Sequence, residues 1–240
     1  MRITSEMKKF VHRNDIGDFE IPERVEKDGK RYYVTPDGNS YPSITSILSQ
    51  QENPGLQAWK EKVGEKEAKR ISKEAARIGT AVHQMAEFYL SNYTVKLDKE
   101  ERKIIDTFNR LRFLLGNINN IVGLEIPLFS DLLRIAGTTD CIAEYNGQLS
   151  IIDFKTSRKP KKEEWSDDYF MQTFAYKLMF EEMTGVEIKQ IVILVACTET
   201  FDVQVFKKPA KDADEWLTKL INIMKENPHI TGNKWMHQPL

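Results

Sequence analysis

Asp153 and Lys155 stand two residues apart at the end of the apolar run LSIIDFKTS. Side chains two apart on a strand point to the same face, so a carboxylate and an ammonium stand side by side. A carboxylate can grip a cation, and an ammonium can steady a nucleophile or a developing anion. A solvated strand face carrying a weak ion pair would look the same. Ile151 lies on that face too, however, so the face is not simply wet. Upstream, Asp140 ends the stretch IAGTTD, where Gly137 permits a bend or a close approach of the backbone. Asn146-Gly147 is a hairpin signal that would lay the Asp140 strand against the Asp153 strand. Two carboxylates brought together repel unless a cation sits between them, and oxygen ligands suit Mg²⁺ or Mn²⁺.

Three further groups carry chemistry. Gly79, His83 and Glu87 fall at i, i+4 and i+8, one stripe of one helix. They read either as a core histidine beside a surface acid or as an imidazole aimed at a metal, with Gly79 letting the helix approach a sheet. Gln172 and Tyr176 share a helix face among Phe170, Phe174 and Leu178. They suit a buried, satisfied phenol, or an amide and a phenol presented to a phosphate or to the strand of Asp153. Glu125 interrupts the apolar strand GLEIPLFS and needs a partner, a metal or an exposed face.

The elements that would position these groups follow from periodicity. RYYVTPDGNSYPSIT reads as a hairpin, with Ser43 and Thr45 suited to cap a helix over residues 44–48. A helical pattern runs from Leu56 to Leu90, with Ile78, Val82, Met85, Ala86 and Tyr89 on its apolar face. A second helix spans Lys99 to Leu115, facing the core with Ile104, Ile105, Phe108, Leu111 and Leu115. Three strands follow, then a helix over residues 163–184 closed by Gly185, two more strands, and a helix over residues 212–225 before the tail WMHQPL. The order predicts one α/β domain over residues 1–240. Residues 1–78 form a hairpin and helical elaboration, 79–206 the catalytic core, and 207–240 a terminal helix and tail.

Composition narrows the classes. A formal net charge of −1 over 240 residues gives no global electrostatic case for nucleic-acid binding, so such binding would need a local basic surface. Two cysteines, Cys141 and Cys197, in apolar strands predict buried free thiols. The first residues have no apolar h-region, no stretch approaches membrane-span length, and no Walker A loop is present. A cytoplasmic, reducing location is expected, which for a phage-encoded chain would be the host cytoplasm.

Taken in order, these pieces resemble the PD-(D/E)XK nuclease superfamily and its RecB-like exonuclease branch. GTAVHQMAE corresponds to the helix histidine motif and EIPL to the strand before the site. GTTD and DFK correspond to the acidic motifs, and QTFAY to the Gln-x-x-x-Tyr motif. YPSITSIL and the Trp-bearing stretch LQAWKEKVGEKEAKR are similar to phage and mitochondrial genome-maintenance exonucleases of that branch. The resemblance implies a restriction-endonuclease-like core, a mixed central β-sheet flanked by helices, with a helical N-terminal elaboration. It implies a metal-dependent DNA exonuclease acting on single strands or DNA ends in DNA replication, recombination, repair or phage DNA metabolism. A flap endonuclease on the same site and an inactive nucleic-acid-binding protein are the alternatives.

By the same resemblance, His83, Asp140, Asp153 and the main-chain carbonyl of Phe154 would hold one or two Mg²⁺ or Mn²⁺ ions. Lys155 would handle the attacking water, and Glu125 and Glu87 would support the ligands. Gln172, Tyr176, Ser43, Thr45, Thr156, Arg158 and Lys159 would contact DNA. Thr139 replaces the superfamily's proline, and Asp153 stands where many relatives have Glu. The four cysteines that hold an iron–sulfur cluster in some relatives are missing, so no such cluster is expected. Lys66, Lys69, Arg70, Lys73 and Arg77 could add a basic wall, and Trp59, Tyr89 and Tyr93 could stack on bases or belong to the core.

Overall fold

The computed structural model describes residues 8–27, 29–51, 54–95 and 100–227. The expected helix start at Lys99 and the tail WMHQPL lie outside them. Three short strands, β1 (Glu23–Lys27), β2 (Lys30–Val34) and β3 (Ser40–Pro42), form a small antiparallel sheet. The last two are the expected hairpin. The first, ERVEK, carries one half-buried valine among exposed charges, so the sequence alone gives little strand signal.

The helix α1 (Ile44–Leu48) follows, then α2 (Pro54–Val63), α3 (Glu65–Leu90) and α4 (Arg102–Leu115). The helical pattern from Leu56 to Leu90 is therefore two helices, broken where Gly64 takes a φ of +84°. Glycine alone enters that region without steric cost. Ser43 occupies the N-cap position of α1, but its hydroxyl bonds the Thr45 hydroxyl at 2.8 Å rather than a helix N–H. On α4, Ile105 is only half-buried, while Leu114 joins the buried face.

Five strands make the main sheet in the order β4 (Ile118–Ser130), β5 (Ile135–Tyr145), β6 (Gln148–Ser157), β7 (Gln190–Cys197) and β8 (Val203–Pro209). All neighbours are antiparallel except β6 and β7, which run parallel. Their crossover is α5 (Asp167–Thr184), ended by Gly185 at φ +69°. A 3₁₀ turn over Glu163–Trp165 precedes α5, so the expected helix starts later than its pattern suggests. The Asn146-Gly147 turn joins β5 to β6 with both residues at positive φ, the conformation a two-residue hairpin requires.

Helices cover both sheet faces. Alternation along β6 sends Ile151 toward α5, α1 and α6 (Ala213–Glu226), and sends Ile152 and Phe154 toward α3 and α4. β7 is buried on both sides, which is why IVILVA reads as an unbroken apolar run. α5 is apolar nearly all round because it lies between the sheet and the other helices on that face.

The small sheet is fastened to β5. Tyr33 is fully buried and its hydroxyl meets Thr138 Oγ1 at 2.9 Å, while Tyr41 donates to Asp131 Oδ1 at 2.5 Å. Ser43 forms a bridge to Ala136. Gly137 lies between these anchors because no side chain fits. A Cβ there would stand 2.6 Å from Tyr176 Cε1 and 3.1 Å from Ile44 Cγ2. At Gly79 a Cβ would meet only Thr156 Oγ1, at an ordinary 3.4 Å, so that helix approach does not demand glycine. Gly137→Ala is expected to cost about 1–3 kcal/mol, read as a lower thermal midpoint. Gly79→Ala is expected to leave the midpoint unchanged or raise it slightly.

Candidate nuclease site

The register opposes Cys141 to Ile152, which brings Asp140 and Asp153 to adjacent points on β5 and β6. Asp140 Oδ2 accepts the Phe154 N–H at 2.6 Å, tying its carboxylate to the next strand. Its other oxygen, Oδ1, lies 3.4 Å from His83 Nδ1 on α3. The His83 ring is held edge-on by Phe154, with centroids 6.0 Å apart. Glu125 on β4 completes the group: His83, Glu125 and Asp140 each offer a ligand atom within 4.8 Å of the others.

Glu125 holds a φ of +51° inside a strand, a conformation that costs a side-chain-bearing residue on the order of 1–3 kcal/mol. This backbone setting was not legible in the sequence, where an exposed strand face was the simplest reading of Glu125.

A second half of the site lies beside the first. Asp153 is 1% exposed. Lys155 Nζ stands 2.6 Å from Asp153 Oδ2, paired by charge rather than by a well-angled hydrogen bond, and donates to Gln172 Oε1 at 3.2 Å. The Gln172 amide nitrogen donates to Asp153 Oδ1 at 3.2 Å and to the Tyr176 hydroxyl at 3.1 Å. Gln172 thus bridges acid and ammonium, and Tyr176 fixes Gln172. Tyr176 is 1% exposed, so it faces the Asp153 strand and not a nucleic acid. Asp153 is turned toward Lys155 and Gln172, outside the group of three that includes Glu125.

The electrostatics follow from this crowding. Burial pushes the Asp153 carboxyl up to about 6, with Asp140 adding to it and Lys155 opposing. Burial also works against charge on Asp140, but His83, Lys155 and the Phe154 N–H outweigh it and hold Asp140 low. For His83 and Lys155, burial favours the neutral form, yet the two aspartates overcome it and raise both. Lys155 is therefore an ammonium at neutral pH. Burial, then Asp140, pushes Glu125 up to about 7, with Glu87 adding and His83 and Arg24 opposing. Glu125 is open to water at the mouth of the site, which moderates that rise.

Two acids gathered around one imidazole, with one acid on strained backbone, fit a divalent cation better than a structural ion pair. A His-plus-carboxylate set of this kind can hold a divalent metal ion.

The other expected contacts are scattered in outcome. Arg158 is ion-paired to Glu199 at 2.7 Å, while Lys159 is exposed. Thr156 is half-buried against Gly79. On α3, Arg70 is paired to Glu67 and Glu74, and Arg77 to Glu101, so the two arginines of the basic wall are neutralised. Tyr89 packs against Phe10 and Phe108, and Trp59 is half-buried, whereas Tyr93 is 66% exposed and is no part of the core.

A sequence model of the PD-(D/E)XK nuclease superfamily matches residues 92–238. The chain belongs to this superfamily. The match covers Glu125, Asp140, Asp153, Lys155, Gln172 and Tyr176 of the nuclease site, and His83 lies upstream of it. The chain is also similar to mitochondrial genome maintenance exonuclease 1 of Mus musculus, 33% identical over 131 residues that cover 51% of this chain and 39% of that protein. The Homo sapiens protein of that name is 30% identical over 132 residues, covering 51% of this chain and 38% of its own length. The Xenopus tropicalis protein is 26% identical over 176 residues, covering 70% and 48%. The nuclease chain thus matches less than half the length of these relatives. Among its described residues, no helix is long and apolar enough to cross a membrane.

Proposed function

We propose that this chain is a divalent-metal-dependent deoxyribonuclease of the exonuclease kind, acting on single-stranded DNA or on DNA ends. The observation that carries the reading is the convergence of His83, Glu125 and Asp140 beside an ammonium locked between Asp153 and Gln172. That its relatives are named exonucleases favours cutting from ends over cutting within.

His83, Glu125 and Asp140 would hold the cation, while Asp153 on the next strand stands on Lys155 and Gln172 beside it. When bound, a divalent cation lowers the pKa of water and draws charge from phosphate oxygens. Lys155 carries a proton at neutral pH, so it is no general base. It donates hydrogen bonds to the attacking water and to the phosphate oxygen on which negative charge grows. Water adds to phosphorus as the bridging P–O bond breaks, and the proton the water gives up passes through solvent to the departing oxygen. Gln172 keeps Lys155 and Asp153 in register through the reaction, and Tyr176 keeps Gln172 from turning.

Cation binding needs ionised carboxylates. The Glu125 carboxyl is raised to about 7 and that of the neighbouring Asp153 to about 6, and Glu125 must give up its proton to a cation. The stabilisation given by a fixed Mn²⁺ concentration is therefore expected to grow between about pH 6 and pH 8. Without metal the sign reverses. Each raised carboxyl binds more protons folded than unfolded, so these two groups lose stability as pH rises from the ordinary carboxylate range toward 7. Thermal midpoints at several pH values, with Mn²⁺ and with EDTA, check both slopes. A midpoint increment independent of pH over that range contradicts them.

Timed digestion of end-labelled linear and circular DNA, single- and double-stranded, with Mg²⁺, Mn²⁺ or EDTA, tests the function. Metal-dependent loss of linear strands with circles spared supports it. Cut circles convert the reading to an endonuclease, and tight binding without turnover in any metal overturns catalysis altogether. Localising the tagged chain decides between the expected cytoplasmic site and the organelle in the relatives' names.

A further inference from the structure

A polar pocket of about 300 Å³ opens where the small sheet meets α1, lined by Arg24, Glu26, Arg31, Thr45, Ser46 and Ser49. Two guanidinium groups face one carboxylate, and three hydroxyls complete the wall. Glu26 stands opposite Arg31 in the strand register, yet neither arginine forms an ion pair with a described residue. The contrast with the groove between α3 and the end of β7 is instructive. There Arg70, Lys103 and Arg158 are all paired, to Glu67, Glu74 and Glu199. Two neighbouring guanidiniums beside three hydroxyls suit an anion, since the fork geometry of arginine matches phosphate oxygens.

The pocket's position gives it a substrate. The small sheet is fixed to β5 by the Tyr33–Thr138 hydrogen bond and the Ser43–Ala136 bridge, two and four residues before Asp140. Glu125 falls opposite the same stretch of β5, between the Leu124–Cys141 and Ile126–Thr139 pairs, so the anchored sheet and the acidic site share that stretch. The acidic site needs a cation to accept a polyanion. The pocket needs none.

We infer that Arg24 and Arg31, with the hydroxyls of Thr45, Ser46 and Ser49, form an anchoring subsite for one phosphodiester of the bound DNA strand, apart from the phosphate being cut. This rests on the reading of the chain as a DNA nuclease. Thr45 belongs to this subsite, whereas Ser43, buried and bonded to Thr45, orients it. The arginines are positioning residues: they fix which linkage reaches the acidic site.

Binding is measured apart from turnover, by anisotropy of a fluorescent single strand of oligo(dT) in Ca²⁺, with cleavage followed separately in Mg²⁺. Arg24→Gln/Arg31→Gln is expected to bind at least about tenfold more weakly, with a salt slope shallower by roughly 1.4 for two lost phosphate contacts. Its cleavage should lose more in KM than in kcat, because the arginines bind and position the strand and do not touch the reacting phosphate. Arg24→Lys/Arg31→Lys should restore part of the affinity, since charge remains and the fork does not. A series of strands, each with one neutral methylphosphonate linkage, then locates the contact. The parent should weaken most at one or two adjacent linkages, and the Gln variant should lose that dependence. Equal affinity of parent and Gln variant, or the same methylphosphonate profile in both, overturns the subsite. A parent that shows the arginine-dependent profile but never cleaves keeps the subsite and sinks the nuclease reading, and a parent that neither binds nor cleaves sinks both.

Discussion

Lys155→Met should slow phosphodiester cleavage by about 10²–10³-fold at saturating metal, the usual effect of removing one charged donor from a transition state. The size of the effect comes from where the ammonium sits. Asp153 and Gln172 hold it at 2.6 and 3.2 Å, so it is already in place before substrate arrives. The variant should remain folded, but with an altered pH response. Without Lys155, burial and Asp140 act on Asp153 with less opposition, so its carboxyl rises beyond about 6. The variant then carries more protons folded than unfolded over a wider range and loses stability, relative to the parent, as pH climbs toward 8. Single-turnover cleavage with thermal midpoints at two pH values separates the effects. A Met variant that cuts at the parental rate removes Lys155 from the chemistry.

Asp140→Asn should have an effect as large or larger, about 10³-fold or more, because several kcal/mol of charge stabilisation rest on the cation it helps to hold. Asparagine keeps an oxygen that can accept the Phe154 N–H, so the strand junction survives. Its lost charge removes what chiefly raises the His83 pKa and what helps draw a divalent ion between His83 and Glu125. The thermal stabilisation by Mn²⁺ should vanish in this variant and persist in Lys155→Met, where the acids are intact. That pairing separates holding the cation from using it. An Asn variant still stabilised by Mn²⁺ to the parental extent would place the ion elsewhere.

Much of this arrangement was legible in the sequence because it rests on short-range rules. Alternation in LSIIDFKTS, the Asn146-Gly147 turn and the unbroken apolar run of β7 placed Asp140, Asp153 and Lys155 on neighbouring strands. Gly137 was recognised as a point of close approach, and the Tyr176 ring proved to be what approaches. What the sequence hid depends on contacts between distant segments. ERVEK looks like a charged loop until Tyr33 and Tyr41 seat the small sheet on β5. Glu125 was expected to support the ligands or face solvent, and its positive φ within a strand leaves no compositional trace. Nothing in its neighbours says that it joins His83 and Asp140 while Asp153 turns to Lys155. Gly64 inside a long helical pattern could have been read as a break, since mid-helix glycine costs about 1 kcal/mol against alanine.

The account stands on a cation seated between His83, Glu125 and Asp140. Crystals of the protein grown or soaked with Mn²⁺ and measured for anomalous scattering test it most directly. A peak within about 2.5 Å of ligand atoms from at least His83 and Asp140 is the result predicted. Strong anomalous peaks confined to other carboxylates, with His83 and Asp140 still facing only each other, would contradict it.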